Sequence, residues 1–134
     1  MIGILIISHG NLGDSFIHCA NHVMGAKSQH LTHLSISTQD DPDAVISRAL
    51  ELIRQLDCGN GVLVLSDICG ATPCNIASRL VSPGRVECLA GVNLPMLVRA
   101  LTYRNESLAV AVDKALTGGR EGVMRIDPGP QDAI

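Results

Sequence analysis

Runs of consecutive apolar, β-prone residues alternate along this chain with stretches in which apolar residues recur every three or four positions. Unbroken runs suit strands buried on both faces, and the three-four spacing suits helices with one buried side. Strands are thus predicted near 2–7, 31–36, 61–66 and 86–90, and helices near 13–24, 42–56, 73–81, 94–103 and 106–117. The helix over 42–56 is the clearest. Asp41 and Pro42 open it, Val45, Ile46, Ala49, Leu52, Ile53 and Leu56 share one face, and Cys58-Gly59-Asn60-Gly61 stops it. Strands alternating with helices build βαβ units, so the expected fold is α/β, a doubly wound, mainly parallel sheet with helices on both faces. Right-handed crossovers and short loops favour the strand order 2-1-3-4, with a switch point outside the carboxyl ends of strands one and three. A last run, Gly122-Val123-Met124-Arg125-Ile126, follows Gly118-Gly119 and has no helix after it. It is expected as a C-terminal antiparallel edge strand, paired in its own chain or in a partner. Residues 1–126 then form one domain, and 127–134, with two prolines, a loosely held tail.

Composition narrows what such a domain does. At 134 residues and 46% hydrophobic the chain can bury one proper core. With one Tyr, one Phe and no Trp, that core is aliphatic and base stacking on aromatic rings is excluded as a function. A net charge of -3 without any Lys/Arg block argues against nucleic-acid binding, which needs a basic footprint. The cysteines Cys19, Cys58, Cys69, Cys74 and Cys88 are scattered, with no C-x-x-C pair, as expected of reduced thiols in the cytoplasm. The opening apolar run is too short to span a membrane and lacks a basic flank and a cleavage site.

Candidate chemistry sits at the switch point. The first strand ends in Ser8-His9-Gly10 and the third in Ser66-Asp67, followed by Gly70-Ala71-Thr72-Pro73. A nucleophilic histidine needs one ring nitrogen free and the other held by an acceptor that fixes the tautomer and stabilises a positive ring. Asp67 is the candidate acceptor for His9. Thr72 as N-cap and Pro73 at the first helical position predict a loop, Gly70, Ala71 and Thr72, whose N–H groups and helix dipole favour a phosphate. His18 and His22 lie four apart on a helix without a third ligand, and His30 and His33 lie at a strand start, so no metal site is expected. Cys69 and Cys74 flank the loop as small apolar filling. Arg79 and Arg99 are candidates to steer an acidic partner or a phosphate, although a solvated helix face is the commoner place for such residues.

With these residues in place, the chain resembles the IIA component of the mannose family of the bacterial phosphoenolpyruvate-dependent sugar phosphotransferase system. The likeness runs from Gly3-Ile4 to about Ile126. It is carried by Ile7-Ser8-His9-Gly10, Gly61-Val62-Leu63-Val64-Leu65-Ser66-Asp67, Gly70-Ala71-Thr72-Pro73-Cys74-Asn75-Ile76-Ala77-Ser78-Arg79, Ala90-Gly91-Val92-Asn93-Leu94-Pro95-Met96-Leu97 and Gly119-Arg120-Glu121-Gly122-Val123. The resemblance implies a cytoplasmic phosphocarrier in which His9 accepts a phosphoryl group from the carrier protein HPr and passes it to a IIB-type protein. It implies that Asp67 orients the ring and that Gly70, Ala71 and Thr72 cradle the phosphate, with no metal or organic cofactor. It also implies a homodimer that exchanges the last strand, around 121–126, and contact with a membrane only through a permease complex.

Asn11, Cys69 and Cys74 stand where sugar-transporting members are expected to carry bulkier, often aromatic residues, and a docking rim without such anchors has lost hot spots. With no fused IIB domain after it, the chain is also compatible with a regulatory phosphotransfer chain. Three other readings compete. A phosphocarrier subunit of a dihydroxyacetone kinase would keep His9 but change the acceptor, and Gly10 and the Gly91–Met96 run argue against it. A small tetrapyrrole metal chelatase would need a second ligand histidine, and none follows His33. From a different class, a regulatory binding protein read through its phosphorylation state would use the same His9 chemistry.

Overall fold

Two strands with no polar residue in their centres can only be buried on both sides, and they form the middle of the sheet. The computed structural model describes residues 1–68 and 72–129. Four strands, β1 (Gly3–His9), β2 (Leu31–Ile36), β3 (Val62–Ser66) and β4 (Val86–Ala90), lie parallel in the order β2-β1-β3-β4. The helices are α1 (Leu12–Met24), α2 (Pro42–Leu56), α3 (Thr72–Ser78), α4 (Leu94–Thr102) and α5 (Leu108–Glu121). Side chains alternate across the central strands. Ile4, Ile6, Leu63 and Leu65 join the core beneath α1, α4 and α5, whereas Leu5, Ile7, Val62 and Val64 join the core beneath α2 and α3. Burying each such side chain contributes about 1.5–3 kcal/mol, and a one-residue slip would send every one to the wrong face. The strand order and the helix cover on both faces match the expected doubly wound α/β fold.

Two local expectations need correction. α3 begins at Thr72 itself and stops at Ser78, three residues short of the predicted end. Its last turn tightens, with Arg79 N donating to Ile76 O and Leu80 N to Ala77 O, while Ser78 Oγ donates to Asn75 O. α5 does not stop before Gly118-Gly119 but runs through both to Glu121. Glycine weakens an isolated helix, yet here it permits contact. A Cβ on Gly118 would lie 2.8 Å from Arg99 Cβ, and one on Gly119 would lie 2.8 Å from Met96 Cε, so α5 packs flush on α4 only without them. Residues 123–129 form no strand within this chain, which leaves pairing in a partner as the form of the expected edge strand still open. Val123, Met124 and Ile126 stand exposed beyond the end of α5.

Candidate functional site

β1 and β3 are neighbours, with Ile7 opposite Ser66, so the residues that leave them meet at the carboxyl end of the sheet. Asp67 Oδ2 accepts from the backbone N–H of His9 at 2.9 Å and lies 2.7 Å from His9 Nδ1. One carboxylate oxygen therefore holds both the main chain and the ring of the same residue. Asp67 Oδ1 accepts from Ile68 N at 2.7 Å. Burial by itself would push the Asp67 carboxyl up, but the bonds from His9 N, the His9 ring and Ile68 N outweigh it and hold the group below the ordinary carboxylate range. An ionised carboxylate only accepts, so Nδ1 is the nitrogen that carries a proton toward Asp67, and in the neutral ring the lone pair lies on Nε2. The His9 side chain is 48% exposed against 10% for Asp67. A half-exposed ring held at one nitrogen by a partly buried anion is able to act as a nucleophile whose developing positive charge is stabilised.

The structure brings His9 and Asp67 together as the sequence predicts. Thr72 is half-buried at the first position of α3, and Gly70 and Ala71, like Cys69, lie outside the described residues. Arg79 and Arg99 are engaged elsewhere. Arg79 pairs with Asp43 at 3.5 Å, and Arg99 pairs with Glu121 at 3.7 Å and packs against Gly118. His18 and His22 face an exposed hollow shared with Lys27, and no cluster of three His, Cys, Asp or Glu suited to a metal occurs among the described residues. His33 sits inside β2 rather than at its start, against Gly13 of α1, with Nε2 3.6 Å from Asp14.

One contact of Asp67 was not foreseen. Its carbonyl accepts from Gly91 N at 2.7 Å, and Ser66 O accepts from Val92 N at 3.0 Å, so the turn after β4 anchors the end of β3. Gly91 has φ +83°, a left-handed conformation that favours glycine. Its signal in the sequence is Gly-Val-Asn-Leu-Pro, a turn glycine followed by a helix cap and a proline in the first helical turn, which reads as punctuation until the fold places it beside Asp67.

The chain matches the family model described as PTS system fructose IIA component over residues 3–116. It is 32% identical over 132 residues to the PTS system mannose-specific EIIAB component of Escherichia coli (strain K12), covering 96% of this chain and 41% of that protein. It thus spans well under half the length of that curated relative. It is also 27% identical over 111 residues to the PTS system fructose-specific EIIA component of Bacillus subtilis (strain 168), covering 82% of this chain and 75% of the relative. Among solved structures, phosphotransferase system component EIIA from Streptococcus agalactiae superposes with a TM-score of 0.81 at 27% identity, covering 93% of this chain and 97% of that one. A family match across most of the chain, on the fold described above, makes this chain a member of the mannose-family IIA components of the phosphotransferase system.

Proposed function

We propose that the protein is a phosphohistidine carrier whose phosphorylated atom is Nε2 of His9. The observation that carries this reading is the double hold of Asp67 on His9, which fixes a half-exposed ring by one of its nitrogens. In the proposed step, the lone pair of Nε2 attacks the phosphoryl group on the donor's histidine. The donor N–P bond breaks as the new one forms, and the donor ring leaves neutral. His9 becomes positively charged while Nδ1 keeps its proton, and the Asp67 carboxylate stabilises that charge. The reverse chemistry hands the group to the acceptor. Positioning and electrostatics supply the catalysis, because no covalent help is needed beyond the two rings.

The rest of the proposal follows the family. HPr is the donor, a IIB-type protein or a regulatory target is the acceptor, and the carrier works in the cytoplasm without a metal or organic cofactor. Gly70, Ala71 and Thr72 donate to the phosphoryl oxygens, a role supported by Thr72 standing at the start of α3. The exposed Val123, Met124 and Ile126 support the exchange of residues around 121–126 between two copies, as do the pairing edges that a four-stranded open sheet leaves. Intact-mass spectrometry after incubation with phosphoenolpyruvate, enzyme I and HPr tests the carrier reading. A single acid-labile phosphate on the wild type and none on His9→Ala is the expected result, and an unmodified wild type refutes it. Light scattering tests the dimer, which truncation after Gly122 is expected to convert to a monomer.

A further inference from the structure

We infer that Asn93 is a positioning residue for Asp67, clamping the turn that anchors it. The inference rests on His9 and Asp67 being the phosphoryl site, and it adds a residue outside that pair. Asn93 precedes α4 and uses both ends of its amide. Oδ1 accepts from Met96 N at 2.9 Å, capping α4, and Nδ2 donates to Gly119 O at 3.0 Å, in the last turn of α5. A helix cap needs only the oxygen, so the second bond is a tie between two helices.

That tie holds the turn whose preceding amides reach the site. Gly91 N and Val92 N donate to Asp67 O and Ser66 O, and Asp67 in turn holds the backbone and ring of His9. With Asn93 bonded to both α4 and α5, these amides have a fixed origin. The contact is close enough to transmit displacement. A Cβ on Gly119 would fall 3.5 Å from Asn93 Oδ1 and 3.2 Å from Met96 Cβ, and one on Gly122 would run into Pro95 Cβ. The segment 123–129 leaves α5 directly after this contact, so Asn93, beside the packing of α4 on α5, ties the end of α5 to the turn that bonds the main chain of Asp67.

Asn93→Asp separates the two bonds. It keeps an oxygen for Met96 N and removes the donor to Gly119 O. The readouts are the His9 ring signals in histidine nitrogen–proton spectra and the rate of phosphoryl uptake from phosphorylated HPr. Leu101→Ala, a buried change at the far end of α4, is the control for lost stability. We expect the His9 signals to move in Asn93→Asp and not in Leu101→Ala. Uptake is expected to slow roughly tenfold in Asn93→Asp, less than the hundredfold that a 1 Å misplacement can cost. Wild-type signals and rate in Asn93→Asp overturn the inference, as do equal changes in Leu101→Ala. Should Asn93→Asp fail to fold, Asn93→Ser keeps a capping oxygen without the donor and is read in the same way. His9 signals that move in a protein whose wild type takes up no phosphate support the clamp while refuting the carrier reading.

Discussion

Polar clusters close both ends of this sheet, and they differ in what they leave unused. At the carboxyl ends, Asp67 holds His9 by one ring nitrogen and half of the imidazole faces outward. At the amino ends, Arg104 is 6% exposed and spends its donors on carbonyls. Nε and Nη2 reach Ile2 O at 3.1 and 2.7 Å, Nη1 reaches Gln29 O at 2.6 Å, and Nη2 also reaches His30 O at 2.9 Å. Burial pulls the Arg104 guanidinium below its ordinary range, and no carboxylate pairs with it among the described residues. A guanidinium used in this way ties the starts of β1 and β2 to the end of α4, spending four of its five donors on carbonyls in a buried position that presents no open face to a ligand. Bonding strength therefore does not separate a site from a strut, but a leftover, exposed valence does.

Substitutions sharpen this contrast. His9→Ala is expected to abolish phosphate uptake while changing unfolding stability by no more than about 1 kcal/mol, as measured by mass spectrometry and urea denaturation. Asp67→Ala keeps the nucleophile but frees its tautomer and orientation, and uptake should fall on the order of a hundredfold. Equal uptake would refute the orienting role. At the opposite pole the effect should reverse. Arg104→Met removes the guanidinium from the Ile2 and Gln29 carbonyls and leaves His30 O only its bond from Ile4 N, and it should cost roughly 3 kcal/mol of stability, with uptake per folded molecule unchanged. Uptake that falls along with stability would break the distinction between the two ends.

The pH dependence gives a smaller signal. Asp67 is held below its ordinary value near 3.8, so the folded state binds fewer protons there than the unfolded chain. Its contribution to stability is complete above that range and is lost as pH falls through the lower folded value. Between neutral pH and about 2, wild type should lose more stability than Asp67→Asn, as read by denaturation at fixed pH values. Smallest is a reactivity difference. Burial, with the charges of Glu87 and Cys74 beside it, pushes the Cys88 thiol up to about 12. Iodoacetamide at mildly alkaline pH should therefore label exposed Cys19 and Cys58 well before Cys88.

Much of this molecule is legible without coordinates because its signals are local. Five apolar residues before His9 announce a central strand, and Asp41-Pro42 with a three-four apolar stripe delimits α2 to the residue. The strand order follows from crossover handedness, and it alone brings His9 and Asp67 to one crevice. Misreadings occur where a local signal is overridden by a neighbour distant in sequence. Gly118-Gly119 reads as a helix stop, but α4 makes it a contact surface. Arg79 and Arg99 read from sequence either as cations that steer a phosphate or as ordinary solvated helix positions, and their surface pairs with Asp43 and Glu121 fit the second.

The sequence by itself determined the class of fold, its two-sided core, the histidine that ends the first strand and the carboxylate that ends the third. Periodicity and strand-end position suffice for these, since burial dictates the first and the switch point the second. Tertiary structure alone decided that one oxygen of Asp67 serves both the backbone and the ring of His9, that Gly91 and Asn93 stand behind it, and that Arg104 closes the opposite end. Each of those bonds joins residues 24 to 102 positions apart or depends on a turn set by such a bond. No local pattern encodes a partner at that distance, because only the packed sheet brings the two ends within reach.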